Sequence, residues 1–125
     1  AARAARDKWT AAANNYLFPL FENGLVMPWI MHRVAGFPLD RDTIDRALAN
    51  ISRALGYLEA EIAKDGAWTV GDFDLADVFL YPILRGLQLP PQGEVGIAQC
   101  DALSAWLAVM ENRPSVASTR WESEP

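Results

Sequence analysis

Asp74 and Asp77 are the side chains whose type and spacing come nearest to a catalytic pair. Two carboxylates on neighbouring turns can act as general acid and general base. The same spacing is typical of a helix N-terminus, where Asp74 is the N-cap residue and Asp77 reaches back to its amide. Phe73 and Val78 stand at the two positions of a hydrophobic staple, and an apolar run follows. We interpret these four residues as a structural capping box, with acid–base catalysis as the alternative.

The sequence contains one cysteine, Cys100, and one histidine, His32. One residue of each kind cannot form a zinc site within the chain, and one cysteine cannot form an internal disulfide. Asp101 follows Cys100 and its charge opposes a thiolate, so we interpret this cysteine as structural rather than nucleophilic. His32 lies near a predicted helix end, where the helix dipole favours it; a catalytic role is the alternative. We expect no metal and no catalytic residue in this chain.

The composition indicates one globular domain spanning residues 1–125. Half of the residues (51%) are hydrophobic, and 16 acidic against 11 basic residues give a net charge of −5. An acidic chain without a basic run is a poor nucleic-acid binder, because phosphate neutralisation supplies most of that affinity. The longest apolar run, residues 25–31, is broken by Pro28 and is too short to cross a bilayer. We expect a cytoplasmic protein that binds neither nucleic acid nor membrane.

Residues 3–34 read as a long helix with two interruptions. Alanine dominates the first part, and alanine is the best helix former. Pro19 and Pro28 each remove a backbone donor, so we expect kinks or local unwinding there. Gly36 and Pro38 are expected to stop the helix. Helical spacing predicts that one face carries Trp9, Ala13, Tyr16 and Leu20.

The second predicted helix has the cleanest periodicity. Its apolar residues recur at alternating steps of four and three, which predicts a narrow stripe packed against other helices. Asp40 or Asp42 can cap its start, and Gly66 can end it. The stripe consists of Ile44, Leu48, Ile51, Leu55, Leu58 and Ile62.

The remaining segments complete an all-helical pattern. A third helix follows Asp74 and is apolar on nearly every side, which is typical of the centre of a bundle, and Pro82 should kink it. Residues 89–93 read as a loop. A last helix is predicted from about Asp101 until Pro114 ends it, with a stripe of Leu103, Trp106, Leu107 and Met110. The fold class is therefore all-α, a bundle of about five helices.

Four segments, taken in order, resemble a known family. Residues 68–78 (WTVGDFDLADV) resemble the W-x-x-G-x-x-(S/T)-x-A-D signature of the glutathione S-transferase C-terminal domain, with Asp74 where Ser or Thr is usual. Residues 54–59 (ALGYLE) resemble its A-L-x-x-L-E segment, and residues 106–116 resemble its W-x-x-x-M-x-x-R-P-S-V ending. Residues 9–19 are similar to the first helix of bacterial members. Because Asp caps about as well as Ser, the departure leaves the expected fold unchanged.

The resemblance implies that this chain is half of an enzyme. Family members begin with a thioredoxin-like domain that binds glutathione and activates its thiol, and no such pattern is present here. The chain also begins with Ala inside a predicted helix, which suggests a processed protein or a fragment. The all-α domain then lines the pocket for an apolar electrophile with its first helix and its tail. The matching residues are Trp9, Ala13, Tyr16 and Trp121, each of which is alternatively a packing residue.

The expected partners follow from the same resemblance. They are the thioredoxin-like N-terminal domain, a second copy bound through the first two helices, and a small apolar electrophile; glutathione is the co-substrate of the parent enzyme. The chain alone is expected to be inactive, to need no cofactor, and to expose apolar surface. The parent's role would be detoxification by conjugation. The alternative is a non-enzymatic interaction module, a role that the same domain has in translation-related proteins, and whether the chain serves an enzyme stays open.

Overall fold

The first helix, α1, carries two π-helical turns. The computed structural model describes residues 11–65 and 75–118, and α1 runs unbroken from 11 to 35. Its π-helical segments are Ala13–Leu17 and Glu22–Val26, and its α-helical segments are Phe18–Phe21 and Met27–Ala35. In the first π turn the Phe18 amide donates to the Ala13 carbonyl, five residues back. In the second, the Met27 amide donates to the Glu22 carbonyl.

The two prolines of α1 explain where these turns occur. Each π segment ends two residues before a proline, Pro19 or Pro28, which occupies the second position of the next α-helical segment. Proline has no amide hydrogen, and its ring crowds the carbonyl four residues earlier, so a wider turn relieves both problems without ending the helix. The predicted departures from α-helix at both prolines are confirmed. Gly36, with φ of 72°, ends α1 as predicted.

The π turns also change which side chains of α1 face the core. Ala13, Leu17, Phe21 and Leu25 are buried, at a constant step of four residues. A π-helical turn takes more residues than the 3.6 of an α-helix, so the buried positions are spaced more widely than the sequence pattern predicts. Tyr16 is 56% exposed, and the prediction that it shares one face with Ala13 is wrong.

Five further helices follow α1. Four of them have eight or more residues, and together with α1 they confirm the all-α bundle; the described residues contain no strand. Residues 89–93 are not simply a loop as predicted, because a helix begins at Pro91, where the fixed φ of proline suits the first helical position. The helices are α2 (Arg41–Asp65), α3 (Leu75–Leu87), α4 (Pro91–Ala98), α5 (Asp101–Glu111) and the single turn α6 (Pro114–Ala117).

The predicted stripes of α2 and α5 form much of the core. Every stripe residue of α2 is buried or half-buried, and all four of α5 are buried. Trp106 of α5 is 1% exposed and meets Tyr81 of α3 edge to face, with ring centroids 6.4 Å apart. The buried side chains of α1, α2, α3, α4 and α5 belong to one continuous cluster.

Asp40 is the residue that caps α2. One carboxylate oxygen accepts from the Asp42 amide at 3.2 Å, and the other accepts from the Thr43 hydroxyl at 2.7 Å. The hydrogen bond from the Thr43 side chain is the main reason that the pKa of Asp40 lies below its ordinary value. Of the two candidates that the sequence offers, the structure therefore selects Asp40.

The predicted capping box of α3 lies outside the described residues. Phe73 and Asp74 precede the first described residue of α3, and the side chains of Asp77 and Val78 are likewise outside the described part. The interpretation of these four residues as a structural cap stays a prediction, as does the ending of α2 at Gly66.

Glu59 of α2 caps a different helix, α5. Its two carboxylate oxygens accept from the backbone amides of Ala102 and Leu103, at 2.8 and 2.9 Å. Cys100 is the N-cap residue of α5, and its own side chain makes no capping hydrogen bond. A carboxylate at this position satisfies two otherwise unpaired amides and interacts favourably with the positive end of the helix dipole. Glu59 is also the final residue of the ALGYLE segment, so the structure gives this residue of the segment a role, which is to cap α5.

We expect Glu59→Ala to lower the free energy of unfolding by about 2–3 kcal/mol, because two amides lose a charged acceptor. Glu59→Gln keeps one acceptor oxygen and should cost about half as much. The measurement is urea unfolding followed by circular dichroism. Glu94→Gln, an exposed change on α4, is the matched control and should stay within about 0.5 kcal/mol of the parent chain. Equal stability of Glu59→Ala and Glu94→Gln would contradict the capping role.

Candidate functional site

The structure separates two of the four residues predicted to line an electrophile pocket, Ala13 and Tyr16. Ala13 is fully buried in the core, whereas Tyr16 is 56% exposed on another side of α1. Trp9 and Trp121 lie outside the described residues. Of the two described residues, only Tyr16 lies at the surface. Whether Trp9 and Trp121 line a pocket with it stays a prediction.

Tyr16 borders a recess between α1 and α2, which we call the Tyr16 recess. It has a volume of about 260 Å³. Arg53 and Tyr57 of α2 stand across from Tyr16, and the Arg53 guanidinium donates a hydrogen bond to the Asn50 side-chain oxygen. Its lining consists of Ala12, Tyr16, Leu17, Arg53, Ala54, Tyr57 and Leu58.

The chemistry of the Tyr16 recess is that of a binding surface rather than a catalytic centre. Its floor is aliphatic, and its rim offers two phenol rings and one guanidinium. Aromatic rings pack on flat apolar groups, and a guanidinium stacks on aromatic faces. The sequence pattern did not reveal Arg53 and Tyr57 as neighbours of Tyr16, because they lie on the side of α2 outside its apolar stripe.

A second concave surface, the α1–α3 groove, was not predicted from the sequence. It has a volume of about 230 Å³ and is almost entirely apolar. Glu22 is the one charged residue among the nine that line it. The lining consists of Phe18, Phe21, Glu22, Val26, Ile30, Pro82, Ile83, Gly86 and Leu89. A signal was available, since Val26 and Ile30 are four residues apart in α1 and α3 is apolar on nearly every side.

Cys100 lies at the edge of a third recess, of about 350 Å³, between α2 and α4. The thiol is 9% exposed and its sulfur lies 3.5 Å from the Gly96 carbonyl oxygen. Burial raises the pKa of Cys100, and the charges of Glu59 and Asp101 raise it further. These observations agree with the interpretation of Cys100 as structural, because the thiolate is the reactive form.

His32 lies in the last turn of α1. Its Nδ1 atom lies 2.8 Å from the Phe37 carbonyl oxygen. A carbonyl oxygen only accepts, so Nδ1 carries the proton and donates it. This contact ties the histidine to the turn that follows Gly36, which is a structural role at the helix C-terminus.

Two classes of site receive no support from the described residues. Among the side chains that the structure describes, no three of His, Cys, Asp or Glu cluster in a way that could hold a metal ion. Over residues 11–65 and 75–118, no helix is both long enough and apolar enough to span a membrane.

The structure defines the chain as an all-α helical bundle, and comparison with known families identifies the class to which this bundle belongs. Residues 41–109 match the family model described as "Glutathione S-transferase, C-terminal domain". This match covers more than half of the chain, so the chain belongs to that family. The matched range begins with α2 and includes nearly all of α5.

A solved structure has the same fold. The crystal structure of glutathione transferase F7 from Populus trichocarpa superposes with a TM-score of 0.79, at 19% sequence identity. The match covers 94% of this chain and 54% of the poplar enzyme, so the chain spans about half the length of that relative. No match was found among curated protein sequences.

We expect Cys100 to react slowly with iodoacetamide in the folded chain. Burial and a raised pKa both oppose attack, so labelling at pH 8 should be at least about tenfold slower than in urea-unfolded chain. Since the chain has one cysteine, total label measured by mass spectrometry reports this residue alone. Equal rates in the two states would contradict the structural interpretation.

The same shift has a consequence for stability at alkaline pH. In the unfolded chain the Cys100 thiol has its ordinary pKa of 9.0, whereas in the folded chain the pKa of this thiol is higher. Above pH 9.0 the unfolded state therefore binds fewer protons than the folded state. The free energy of unfolding should fall as the pH rises past that value. Cys100→Ala should remove this part of the alkaline slope, which urea titrations at several pH values can measure.

Proposed function

We propose that this chain is the electrophile-binding half of a glutathione transferase. Family membership and the poplar enzyme's fold support the class of protein, and the Tyr16 recess supports the binding role. The observation that carries the proposal is an aromatic ring, more than half exposed, standing over an aliphatic recess on the first helix of this domain. In the full protein, a preceding thioredoxin-like domain supplies the glutathione site.

The proposed division of labour is simple. Glutathione, held by the other domain, supplies a thiolate whose sulfur bonds to the electrophilic carbon; with an aryl halide, the carbon–halogen bond breaks and halide leaves. Tyr16 packs its ring against a flat apolar substrate, and Leu17 and Leu58 exclude water beneath it. Such positioning raises the rate because the two reactants meet in a fixed orientation. We expect the chain by itself to turn over nothing, because the proposed glutathione site lies in the other domain.

The other proposed properties follow from the class. We propose a cytoplasmic homodimer in which Trp9 and Trp121 assist Tyr16 in lining the pocket while Ala13 packs in the core, and in which detoxification is the biological role. A second candidate function, a non-enzymatic interaction module, draws on the apolar side chains exposed at the end of α1 and after it. These are Met31, Val34, Phe37 and Leu39.

The test uses the full gene product purified from its source. Conjugation of glutathione to an aryl halide is followed by absorbance, for the parent protein and for Tyr16→Ala. We expect Tyr16→Ala to raise the KM for the aryl halide about tenfold while the KM for glutathione stays constant, which corresponds to about 1.4 kcal/mol of lost ring packing.

Phe37→Ala is the matched control, because Phe37 is also 56% exposed but lies outside the Tyr16 recess. It should leave both KM values unchanged. A full gene product with no conjugating activity would remove the transferase proposal in favour of the interaction module. Activity that Tyr16→Ala and Phe37→Ala affect equally would keep the transferase but move its substrate site away from Tyr16.

A further inference from the structure

Arg53 is the charged residue in the lining of the Tyr16 recess, and none of the described lining residues carries a carboxylate. Its guanidinium donates to the side-chain oxygen of Asn50, three residues earlier in α2. That oxygen is a neutral acceptor, whereas a guanidinium holds a permanent charge and offers five N–H donors in a flat fork. The contact with Asn50 therefore leaves donors and charge that a ligand in the recess can use.

Two phenol rings border the recess together with this cation. Tyr16 is 56% exposed and Tyr57 is 51% exposed, and Leu17 and Leu58 lie in the same lining. Aromatic side chains pack on other flat rings, and a guanidinium binds a carboxylate through two parallel hydrogen bonds. The recess thus combines the two kinds of contact that an aromatic carboxylate requires.

The size of the recess favours a ligand with a single ring. Its volume of about 260 Å³ lies just below the range of about 300–1,000 Å³ that is typical of pockets for drug-sized molecules. We propose that the electrophile bound here is one benzene ring that carries a carboxylate, and that Arg53 selects it by pairing with that carboxylate. The inference rests on the proposed function and deepens it, because the ring still packs on Tyr16.

A neutral or cationic ring fits the recess less well. A neutral ring that covered Arg53 would displace water from its donors without supplying an acceptor, which is unfavourable for a charged group. A cationic ring would be repelled by the guanidinium. A carboxylate replaces the lost water with two charged acceptors, and the aliphatic floor of the recess strengthens their attraction to Arg53 by lowering the local dielectric constant.

The net charge of −5 opposes an anionic ligand only weakly. At physiological ionic strength, exposed charges more than about 8 Å apart are largely screened from each other. A carboxylate in the recess therefore interacts mainly with the nearest charges. Since Arg53 is the charged residue that lines the recess, the local attraction outweighs the repulsion from the rest of the chain.

The transfer step is the one already proposed. The thiol proton of glutathione goes to solvent, the thiolate sulfur bonds to the ring carbon that bears the halogen, and halide leaves with the electron pair of the broken bond. The carboxylate of the substrate is unchanged by the reaction. Arg53 is accordingly a specificity-determining residue, which binds the substrate and takes no part in the bond changes.

A binding experiment tests the proposal without any turnover. The probes are benzoate and benzamide rings that each carry two meta nitro groups and no leaving group, and equilibrium dialysis measures their Kd for the full gene product. We expect Arg53→Gln to weaken dinitrobenzoate at least about tenfold and to change dinitrobenzamide by less than about twofold. Tyr16→Ala should weaken both probes by similar factors, because it removes ring packing and leaves the cation.

Arg46→Gln is the matched control, since Arg46 is also exposed on α2 but lies outside the recess. It should leave both Kd values unchanged, and circular dichroism checks that each variant is folded. Failure of dinitrobenzoate to bind overturns the proposal, as does an equal loss of both probes in Arg53→Gln. Binding that weakens as the protein concentration rises also overturns it, because a second copy then covers the recess.

Conjugation of the corresponding para-chloro compounds separates this proposal from the transferase function. Each electrophile is compared only with itself across the variants, because a carboxylate and an amide activate the ring to different degrees. We expect Arg53→Gln to raise the KM for the carboxylate about tenfold and to leave the KM for the amide and for glutathione unchanged. Selective binding of dinitrobenzoate by a protein without conjugating activity keeps the carboxylate site and removes the transferase function. An active protein in which Arg53→Gln affects both electrophiles equally keeps the transferase function and overturns the role of Arg53.

Discussion

One carboxylate, that of Glu59, connects two helices, α2 and α5, that supply half of the described core residues. It accepts two amides at the start of α5 from a position in α2 more than forty residues earlier. The pairing satisfies two amides at the start of α5 and joins that helix end to α2. Trp106, further along α5, is buried in the core that the two helices share. Burial raises the pKa of the nearby Cys100 thiol, and the charge of Glu59 raises it further.

Helix α1 depends on a second constraint, the two prolines nine residues apart. Each follows a π-helical turn, and these turns bring Ala13, Leu17, Phe21 and Leu25 to the core at steps of four. The helix remains continuous because the wider turn accommodates a residue that has no amide hydrogen. As a result α1 borders both concave surfaces, the Tyr16 recess with α2 and the α1–α3 groove with α3. A substitution in α1 can therefore affect either surface, which is why paired controls are needed to separate them.

The two concave surfaces differ in chemistry. The Tyr16 recess, with aromatic rings and a guanidinium at its rim, suits a small ligand that arrives from solvent and leaves again. The α1–α3 groove is almost entirely apolar, with Glu22 as the one charged residue that lines it.

The sequence by itself determined the all-α class and the inward faces of α2 and α5. The stripes of α2 and α5, the end of α1 at Gly36 and the all-α class all follow from residues close together in the chain, where periodicity and capping act. Only the tertiary structure decided which helix faces meet. The sequence placed residues 89–93 in a loop, because a proline pair reads as a breaker until its second member is seen to start a helix. It placed Tyr16 beside Ala13, because regular helical spacing does not anticipate a π turn. It could not match Glu59 to α5 or Arg53 to Tyr16, because such pairs depend on how whole helices pack, and that register is set by the combined burial of the core.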